Sequence, residues 1–188
     1  MTTTYTREQW LNKCAKHLAP LFERAGYTVP KNIRVSCGWP GGGSRNKRIG
    51  ECWSNECSED GHFEIFISPV LADARRVGDV LAHEMVHAVV GLAAGHGAAF
   101  KACARAIGLT GKMTATTGTP ELHDHIAKIS RDYPHGRMAA GTTGQKKQST
   151  RLLKAECPDC GYTIRVTAKW ASIGMPTCCC GGEMELAQ

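Results

Sequence analysis

Apolar residues recur at helical spacing in the first part of the chain and then alternate with polar ones. Residues 5–26 follow the helical spacing, so we predict a helix that Gly26 ends. Three segments rich in β-branched and aromatic residues come next. They predict strands at 32–39, 48–53 and 62–69, the last of which alternates regularly and so suits a half-buried strand.

Helical spacing returns from residue 72 to residue 90, where Gly91 and Gly95 interrupt it. A second helix is predicted over 97–107, with a glycine directly after it as a C-terminal stop. Residues 111–135 are mixed in pattern and contain one short helical stretch. This order of elements predicts an α+β fold with a small antiparallel or mixed sheet.

Composition divides the chain into three parts. The strands and helices lie in residues 1–135, which we predict to form one domain. Residues 136–150 are rich in glycine, serine, threonine and lysine and have almost no apolar surface to bury, so we expect a flexible basic linker. Residues 151–188 hold five of the ten cysteines and predict a small metal-binding domain.

The composition excludes a disordered or membrane-spanning chain. Of the 188 residues, 42% are hydrophobic, which is enough for a core, and no apolar run approaches the roughly 18–20 residues of a membrane span. The first residues have no secretory apolar segment, so we expect a cytoplasmic protein, in the host cytoplasm if a phage encodes it. In that compartment the cysteines are thiols and metal ligands rather than disulfides.

The segment LAHEMVHAVV places two histidines and a glutamate in one apolar helix. His83 and His87 are four residues apart and therefore lie on one face, where both imidazoles can bind one cation. Glu84 lies about 100° further round the helix, where it can reach a metal-bound water. This arrangement of two ligands and a general base is the H-E-x-x-H pattern of zinc peptidases.

A catalytic zinc needs a third protein ligand and one open position. No aspartate or glutamate occurs between Ala88 and Pro120, so the nearby candidates are His96 and Cys103. His96 follows a glycine turn that lets the chain return over the metal, with an aromatic residue four positions on. A carboxylate ligand would have to come from Glu121 or Asp124, far along the chain.

The run HEMVHAVVG…GHGAAF resembles the signature of the SprT-like (Spartan-type) zinc metallopeptidases, which is HExxH followed by a His-Gly pair and an aromatic residue. GWP, IGECW and EIFISP before it are similar to the small SprT-like proteins of phages and actinobacteria. The resemblance implies a zincin-like metallopeptidase domain with His83, His87 and His96 as zinc ligands and Glu84 as catalytic base. It also implies a C-terminal zinc ribbon.

The expected activity is zinc-dependent hydrolysis of peptide bonds in a protein or peptide, with Glu84 activating the metal-bound water. The resemblance to the Spartan branch implies DNA-associated proteins as substrates. The residue that stabilises the oxyanion is left open. Candidates by their position after the motif are His123, His125, Tyr133 and His135.

The cysteine-rich tail predicts a second, structural zinc with four thiolate ligands. Cys157 and Cys160 form a C-x-x-C pair before a glycine, and three consecutive cysteines follow 17 residues later. Ribbons of the family end in a cysteine pair followed by glycine, which Cys180 matches. Its partner is Cys178 or Cys179, and we favour Cys178 because adjacent cysteines seldom bind one ion.

Basic residues are concentrated around the linker and the tail. Residues 136–170 contain seven lysines and arginines against two acidic residues, within a chain of net charge +6. Contacts with nucleic acid phosphates are therefore an expectation for the set Lys146, Lys147, Arg151, Lys154 and Lys169. The alternative function is a non-catalytic nucleic-acid-binding protein in which both zinc ions are structural.

Overall fold

The computed structural model describes residues 5–41, 48–129, 133–134, 136–139 and 152–187. The chain forms two compact units, residues 1–143 and residues 144–188, and each is described by itself below. The first unit is built from four helices and two small sheets within its described residues. The second is a three-stranded sheet with one short helix. The predicted α+β class is confirmed.

The first helix, α1 (Arg7–Arg24), is amphipathic and well capped. The Thr6 side chain accepts a hydrogen bond from the Gln9 backbone N–H, and the Gln9 side chain accepts one from the Thr6 N–H, which together form a capping box. One face of α1 is fully buried and carries the residues Trp10, Leu11, Cys14, Leu18 and Phe22. This face supplies a large part of the core of the first unit.

The three strands β1 (Ile33–Cys37), β2 (Gly50–Trp53) and β3 (Phe63–Ile67) form a mixed sheet in the order β1-β3-β2. The central strand β3 pairs in parallel with β1 and antiparallel with β2. Val35, Ile65 and Ile67 point to the same face and are buried against the helices. In the order β1-β3-β2, strand β2 lies at an edge of the sheet.

Helix α2 (Ala74–Val90) is the central helix of the unit. The Asp73 side chain caps it by accepting a hydrogen bond of 2.8 Å from the Arg76 N–H. Gly91 ends it with φ of 84°, a left-handed conformation that costs glycine little. After one turn of 3-10 helix the chain enters α3 (Ala98–Ala106).

A β-hairpin and a further helix complete the first unit. The hairpin consists of β4 (Leu109–Lys112) and β5 (Ala115–Gly118), which pair antiparallel. Helix α4 (Pro120–Ala127) follows, with Thr119 as its N-cap and Pro120 at its first position. The predicted elements are confirmed with ends that differ by at most three residues, but the sequence pattern did not reveal the hairpin in the mixed region.

The second unit is a small antiparallel sheet in the order β7-β6-β8. Its strands are β6 (Leu152–Glu156), β7 (Thr163–Thr167) and β8 (Glu185–Leu186). Strand β7 runs directly into the short helix α5 (Ala168–Ala171). The buried cluster of the second unit contains Cys157, Cys178 and Met184, so cysteines take the place of an apolar core.

Most of the predicted linker, residues 136–150, lies outside the described residues. The domain limits at 135 and 150 therefore stay a prediction. Within the described part of the chain, no helix is both long and apolar enough to cross a membrane.

Candidate functional site

Three histidine side chains from two segments converge on one point. The Nε2 atom of His96 lies 3.2 Å from Nε2 of His83 and 3.3 Å from Nε2 of His87. His83 and His87 come from adjacent turns of α2, and His96 comes from the glycine-rich turn before α3. The structure thus brings together the three histidines that the resemblance implied as ligands.

The spacing of these nitrogens fits a tetrahedral zinc ion. Zinc–nitrogen bonds of about 2.0–2.1 Å place two ligand nitrogens about 3.3–3.4 Å apart in a tetrahedron, close to the separations found here. Three neutral imidazoles are the ligand set of a catalytic zinc that keeps one position open for water. The chemistry and the geometry of the donor set therefore both fit zinc.

A hydroxyl group holds one of the ligands in orientation. Oγ1 of Thr116, on β5, lies 2.9 Å from Nδ1 of His83. When Nδ1 carries the proton and donates it to this oxygen, the lone pair of Nε2 is free for a metal. Thr116 is 3% exposed, so water does not compete for this contact.

An aromatic ring forms the apolar floor of the site. The ring of Phe100 lies 4.8 Å from that of His83, 4.5 Å from that of His87 and 4.9 Å from that of His96, measured between centroids. Phe100 is fully buried on α3. One side chain thus packs against all three imidazoles and limits their rotation.

Burial shapes the proton affinity of the ligands. Desolvation lowers the pKa of His83 to about 3 and, with help from His96, the pKa of His87 to about 4. For His83 the neighbouring histidines and Arg76 act in the same direction. Both imidazoles are therefore neutral at pH 7, as metal ligands must be.

Glu84 is a buried carboxyl group beside the histidines. It is 7% exposed, and burial, with a smaller contribution from Glu51, raises its pKa to about 8. A cation held by the histidines acts in the opposite direction and favours the carboxylate. Glu84 therefore has a proton affinity that is easily tuned around neutral pH, as a general acid–base requires.

A cleft of about 610 Å³ contains the three histidines and Glu84. Its walls are the edge strand β2, the exposed face of α2 and the hairpin residues 114–116. Gly50 of β2 lies so close to α2 that a Cβ atom there would stand 2.5 Å from both Oε1 of Glu84 and Cγ1 of Val80. A larger residue at this position would therefore require Glu84, Val80 or the edge strand to shift.

The other candidates for the third ligand lie elsewhere. Cys103 is fully buried in the core, and the metal-binding group contains no carboxylate. Glu121 and Asp124, on α4, line a second cavity of about 520 Å³ that none of the three histidines lines. The structure therefore assembles His96, and none of the alternatives, with the HExxH histidines.

The described candidates for the oxyanion-stabilising residue, His123, His125 and Tyr133, do not line the cleft. Nε2 of His123 donates to Oδ1 of the buried Asp79 at 2.9 Å. His125 stacks on His17, with 4.2 Å between ring centroids, and each bonds through Nε2 to the other's carbonyl oxygen. Tyr133 is buried edge-on against a tryptophan of α1. His135 lies outside the described residues.

Four of the five tail cysteines form a compact cluster. Sγ of Cys157 lies 3.5 Å from Sγ of Cys180, and Sγ of Cys160 lies 3.5 Å from Sγ of Cys178. These separations are far longer than a disulfide bond of about 2.05 Å. They are near the value of about 3.8 Å that zinc–sulfur bonds of about 2.3 Å give in a tetrahedron. The cluster therefore fits a zinc site with four cysteine ligands.

Two glycine turns build this cluster. Gly161 follows the first cysteine pair and Gly181 the second, with φ of 74° and 92°. The N–H of Gly181 donates to the carbonyl oxygen of Cys178 at 2.9 Å, and the N–H of Cys180 lowers the pKa of the Cys178 thiol. Cys179 is exposed and stands outside the group of four.

The predicted nucleic-acid contacts are only partly visible. Lys146, Lys147 and Arg151 lie outside the described residues. Lys154 forms an ion pair with Glu156 at 2.7 Å. Nζ of Lys169 lies 5.1 Å from the ring centroid of Trp170, which is 58% exposed.

Sequence reasoning missed two polar residues that the fold brings to the cleft. Thr116 holds His83, and Arg76 of α2 lines the cleft and donates through Nη1 to the carbonyl oxygen of Thr116 at 2.8 Å. Arg76 and His83 are seven residues apart, which is two helical turns and hence one face. That spacing was a usable signal for Arg76, whereas Thr116 depends on the unforeseen hairpin.

Fold and site together define a mixed α+β protein in which three histidines, two of them from an HExxH sequence, form a candidate metal site. Comparison with known families matches the SprT-like family over residues 18–125, which is more than half of the chain. The chain therefore belongs to the SprT-like family. Neither the curated proteins nor the solved structures gave a match.

Proposed function

We propose that the protein is a zinc-dependent peptidase with Glu84 as its catalytic base. The observation that carries the proposal is the convergence of three imidazole nitrogens, 3.2 and 3.3 Å apart, beside a buried carboxyl group. Membership of the SprT-like family supports it, since that family suggests a metallopeptidase-like domain. A purely structural zinc would have no need of an open cleft with a tunable carboxyl group.

Zinc held by the three histidines would supply Lewis acidity, polarising the scissile carbonyl and lowering the pKa of water. Glu84 then takes the proton of the attacking water at a carboxylate oxygen as the new carbon–oxygen bond forms. It delivers this proton to the leaving nitrogen as the carbon–nitrogen bond breaks. The net reaction adds one water to the peptide bond and returns Glu84 to its starting state.

The edge strand favours an extended peptide as substrate. The N–H of Ser68 donates to the carbonyl oxygen of Ile49, so in this antiparallel pair the groups of Gly50 and Cys52 point away from β3. Both residues line the cleft, and their outward backbone groups make no hydrogen bond to another backbone group within the described part of the chain. An extended peptide can pair with such an edge beside Glu84.

Replacing Glu84 with glutamine tests the proposal. The Glu84→Gln variant keeps the shape of the side chain but has no carboxylate to accept a proton. We expect it to keep its zinc and to lose cleavage of an unfolded protein such as casein by at least about 100-fold. Glu23→Gln, an exposed site on α1, is the matched control and should cleave at the wild-type rate.

Zinc content, measured by mass spectrometry on the same samples, separates loss of chemistry from loss of metal. Cleavage by Glu84→Gln at the wild-type rate would contradict the role of Glu84. Absence of any cleavage by the wild-type protein with full zinc occupancy would contradict a general peptidase activity.

For the second unit we propose a structural zinc ribbon, held by four cysteines, that contacts DNA and would direct the peptidase to DNA-associated proteins. The exposed Trp170 beside Lys169 supports this, because an aromatic face with a nearby cation suits a stacked base and its phosphate. Trp170→Ala should weaken single-stranded DNA binding by the full chain, whereas Trp53→Ala, also exposed, should not. Equal binding by both variants would contradict the contact.

A further inference from the structure

Arg76 is a positively charged side chain that lines the cleft beyond the three histidines. It lies on α2, two turns before His83, and lines the same cleft as Glu84. Its side chain is 32% exposed, so part of it is accessible to a ligand in the cleft.

Two contacts fix the position of this guanidinium group. Nη1 donates to the carbonyl oxygen of Thr116 at 2.8 Å and lies 3.9 Å from Oδ2 of Asp79. Asp79 is 3% exposed, and its other oxygen is engaged by His123 at 2.9 Å. The arm of Arg76 is therefore positioned before any ligand arrives, which lowers the entropy cost of binding one.

Two further nitrogens of the Arg76 side chain can donate to a ligand. Within the described residues, Nε and Nη2 have no hydrogen-bond partner, and neither is buried without one. The other cation that lines the cleft among the described residues, Arg48, forms an ion pair with Glu51. Arg76 thus presents a planar fork of N–H groups, a shape that pairs with carboxylates in a bidentate manner.

We propose that Arg76 is a specificity-determining residue that binds a carboxylate of the peptide substrate. The inference deepens the peptidase function and rests on it. Seven residues of helix correspond to about 10 Å. An extended peptide rises about 3.3 Å per residue, so the bound carboxylate belongs about two to three residues from the scissile bond. It is the side chain of an aspartate or glutamate, or the C-terminal carboxylate of a short peptide.

Matched peptides test the specificity. A set of fluorogenic decapeptides carries glutamate or glutamine at one position at a time, on either side of the cleaved bond. With wild-type protein we expect one position, two or three residues from that bond, at which glutamate raises kcat/KM about tenfold over glutamine. In Arg76→Gln this ratio should fall to about one, and in Arg76→Lys it should be partly retained because the charge remains.

Arg75→Gln is the matched control, since Arg75 is the exposed neighbour on the same helix and does not line the cleft. It should keep the tenfold ratio. C-terminal amidation of the same peptides distinguishes the two sources of carboxylate. If the ligand is the chain terminus, amidation lowers kcat/KM about tenfold for the wild-type protein, whichever residue the varied position holds, and has no such effect in Arg76→Gln.

A binding measurement keeps the inference separate from the catalytic proposal. In the Glu84→Gln background, fluorescence anisotropy should show tighter binding of the glutamate peptide, and Arg76→Gln should abolish the difference. If the wild-type protein shows neither a glutamate preference at any position nor a loss on amidation, or if either effect survives in Arg76→Gln, the role of Arg76 is wrong while the peptidase function stands. If no peptide is cleaved but the anisotropy difference holds, the peptidase function fails while the carboxylate site stands.

Discussion

Replacing Thr116 with valine removes one oxygen atom from the support of the metal centre. Oγ1 of Thr116 lies 2.9 Å from Nδ1 of His83, and Thr116 is buried at 3% exposure. Valine has nearly the same shape as threonine, so the β5 strand and the packing around it should persist. The variant then tests the hydrogen bond by itself.

The size of the effect follows from burial. A buried N–H that loses its partner costs about 1–3 kcal/mol, and replacing the outer partner of a metal-bound histidine typically lowers metal affinity or activity about 10–100-fold. The His83 ring is only partly buried, so the lower end applies. We expect Thr116→Val to bind zinc at the histidine site about tenfold more weakly, which corresponds to about 1.4 kcal/mol.

The assay is competition for zinc with a chromophoric chelator, followed together with cleavage of casein. Zinc held by the cysteine cluster is a constant background, because that cluster contains no residue of the first unit. Thr116→Ser retains the hydroxyl and should retain most of the affinity. Thr117→Val makes the same chemical change at the next, exposed position and should behave as wild type.

Two results would contradict the role of the Thr116 hydroxyl group. Wild-type zinc affinity in Thr116→Val would show that the hydroxyl does not support His83. Equal weakening in Thr116→Val and Thr117→Val would show that the hairpin responds to valine in general and not to the loss of this contact.

Three further predictions follow from the same geometry. Gly50→Ala should lower kcat at least about tenfold with unchanged zinc content, because the Cβ atom of the alanine would lie 2.5 Å from Oε1 of Glu84. A kcat like that of wild type would show that β2 can move aside. The metal-free protein should lose stability as the pH falls from about 6.5 to about 3. In the folded chain desolvation lowers the pKa of His83 to about 3 and of His87 to about 4, whereas in the unfolded chain these histidines bind protons at about 6.5. The melting temperature measured against pH checks this, and a flat profile would contradict it. Cys179→Ser should keep both zinc ions because this thiol stands outside the cysteine cluster, and loss of one zinc in native mass spectrometry would place it among the ligands.

The sequence was sufficient for what depends on local spacing. Four residues of helix place His83 and His87 on one face, and the glycines after α2 predict the reversal that returns His96. The mixed α+β class followed from the change between alternating and helical periods. The resemblance on the residues of HEMVH and GHG led to the family that the comparison shows.

What the sequence left open depends on contacts between distant segments. The hairpin of β4 and β5 carries mostly glycine, threonine and lysine, so neither strand has a clear apolar face, and only the fold shows that Thr116 reaches His83. Similarly, His123 looked free to act on a substrate, whereas the buried Asp79, 44 residues earlier, engages it. Tertiary packing brings together the side chains that complete a site from distant segments. The residue pattern within one segment does not show these contacts.

In the proposed mechanism the three histidines hold a zinc ion on which cleavage depends. Protein stripped by a chelator is titrated with zinc, and bound zinc per chain from native mass spectrometry is compared with casein cleavage, for wild type and for His96→Asn. We predict that wild type binds two zinc ions per chain and cleaves in proportion to occupancy of the histidine site. His96→Asn should retain the cysteine-bound zinc, bind the second ion weakly and remain inactive. If His96→Asn binds two zinc ions and cleaves like wild type, the three-histidine centre is not the site of catalysis.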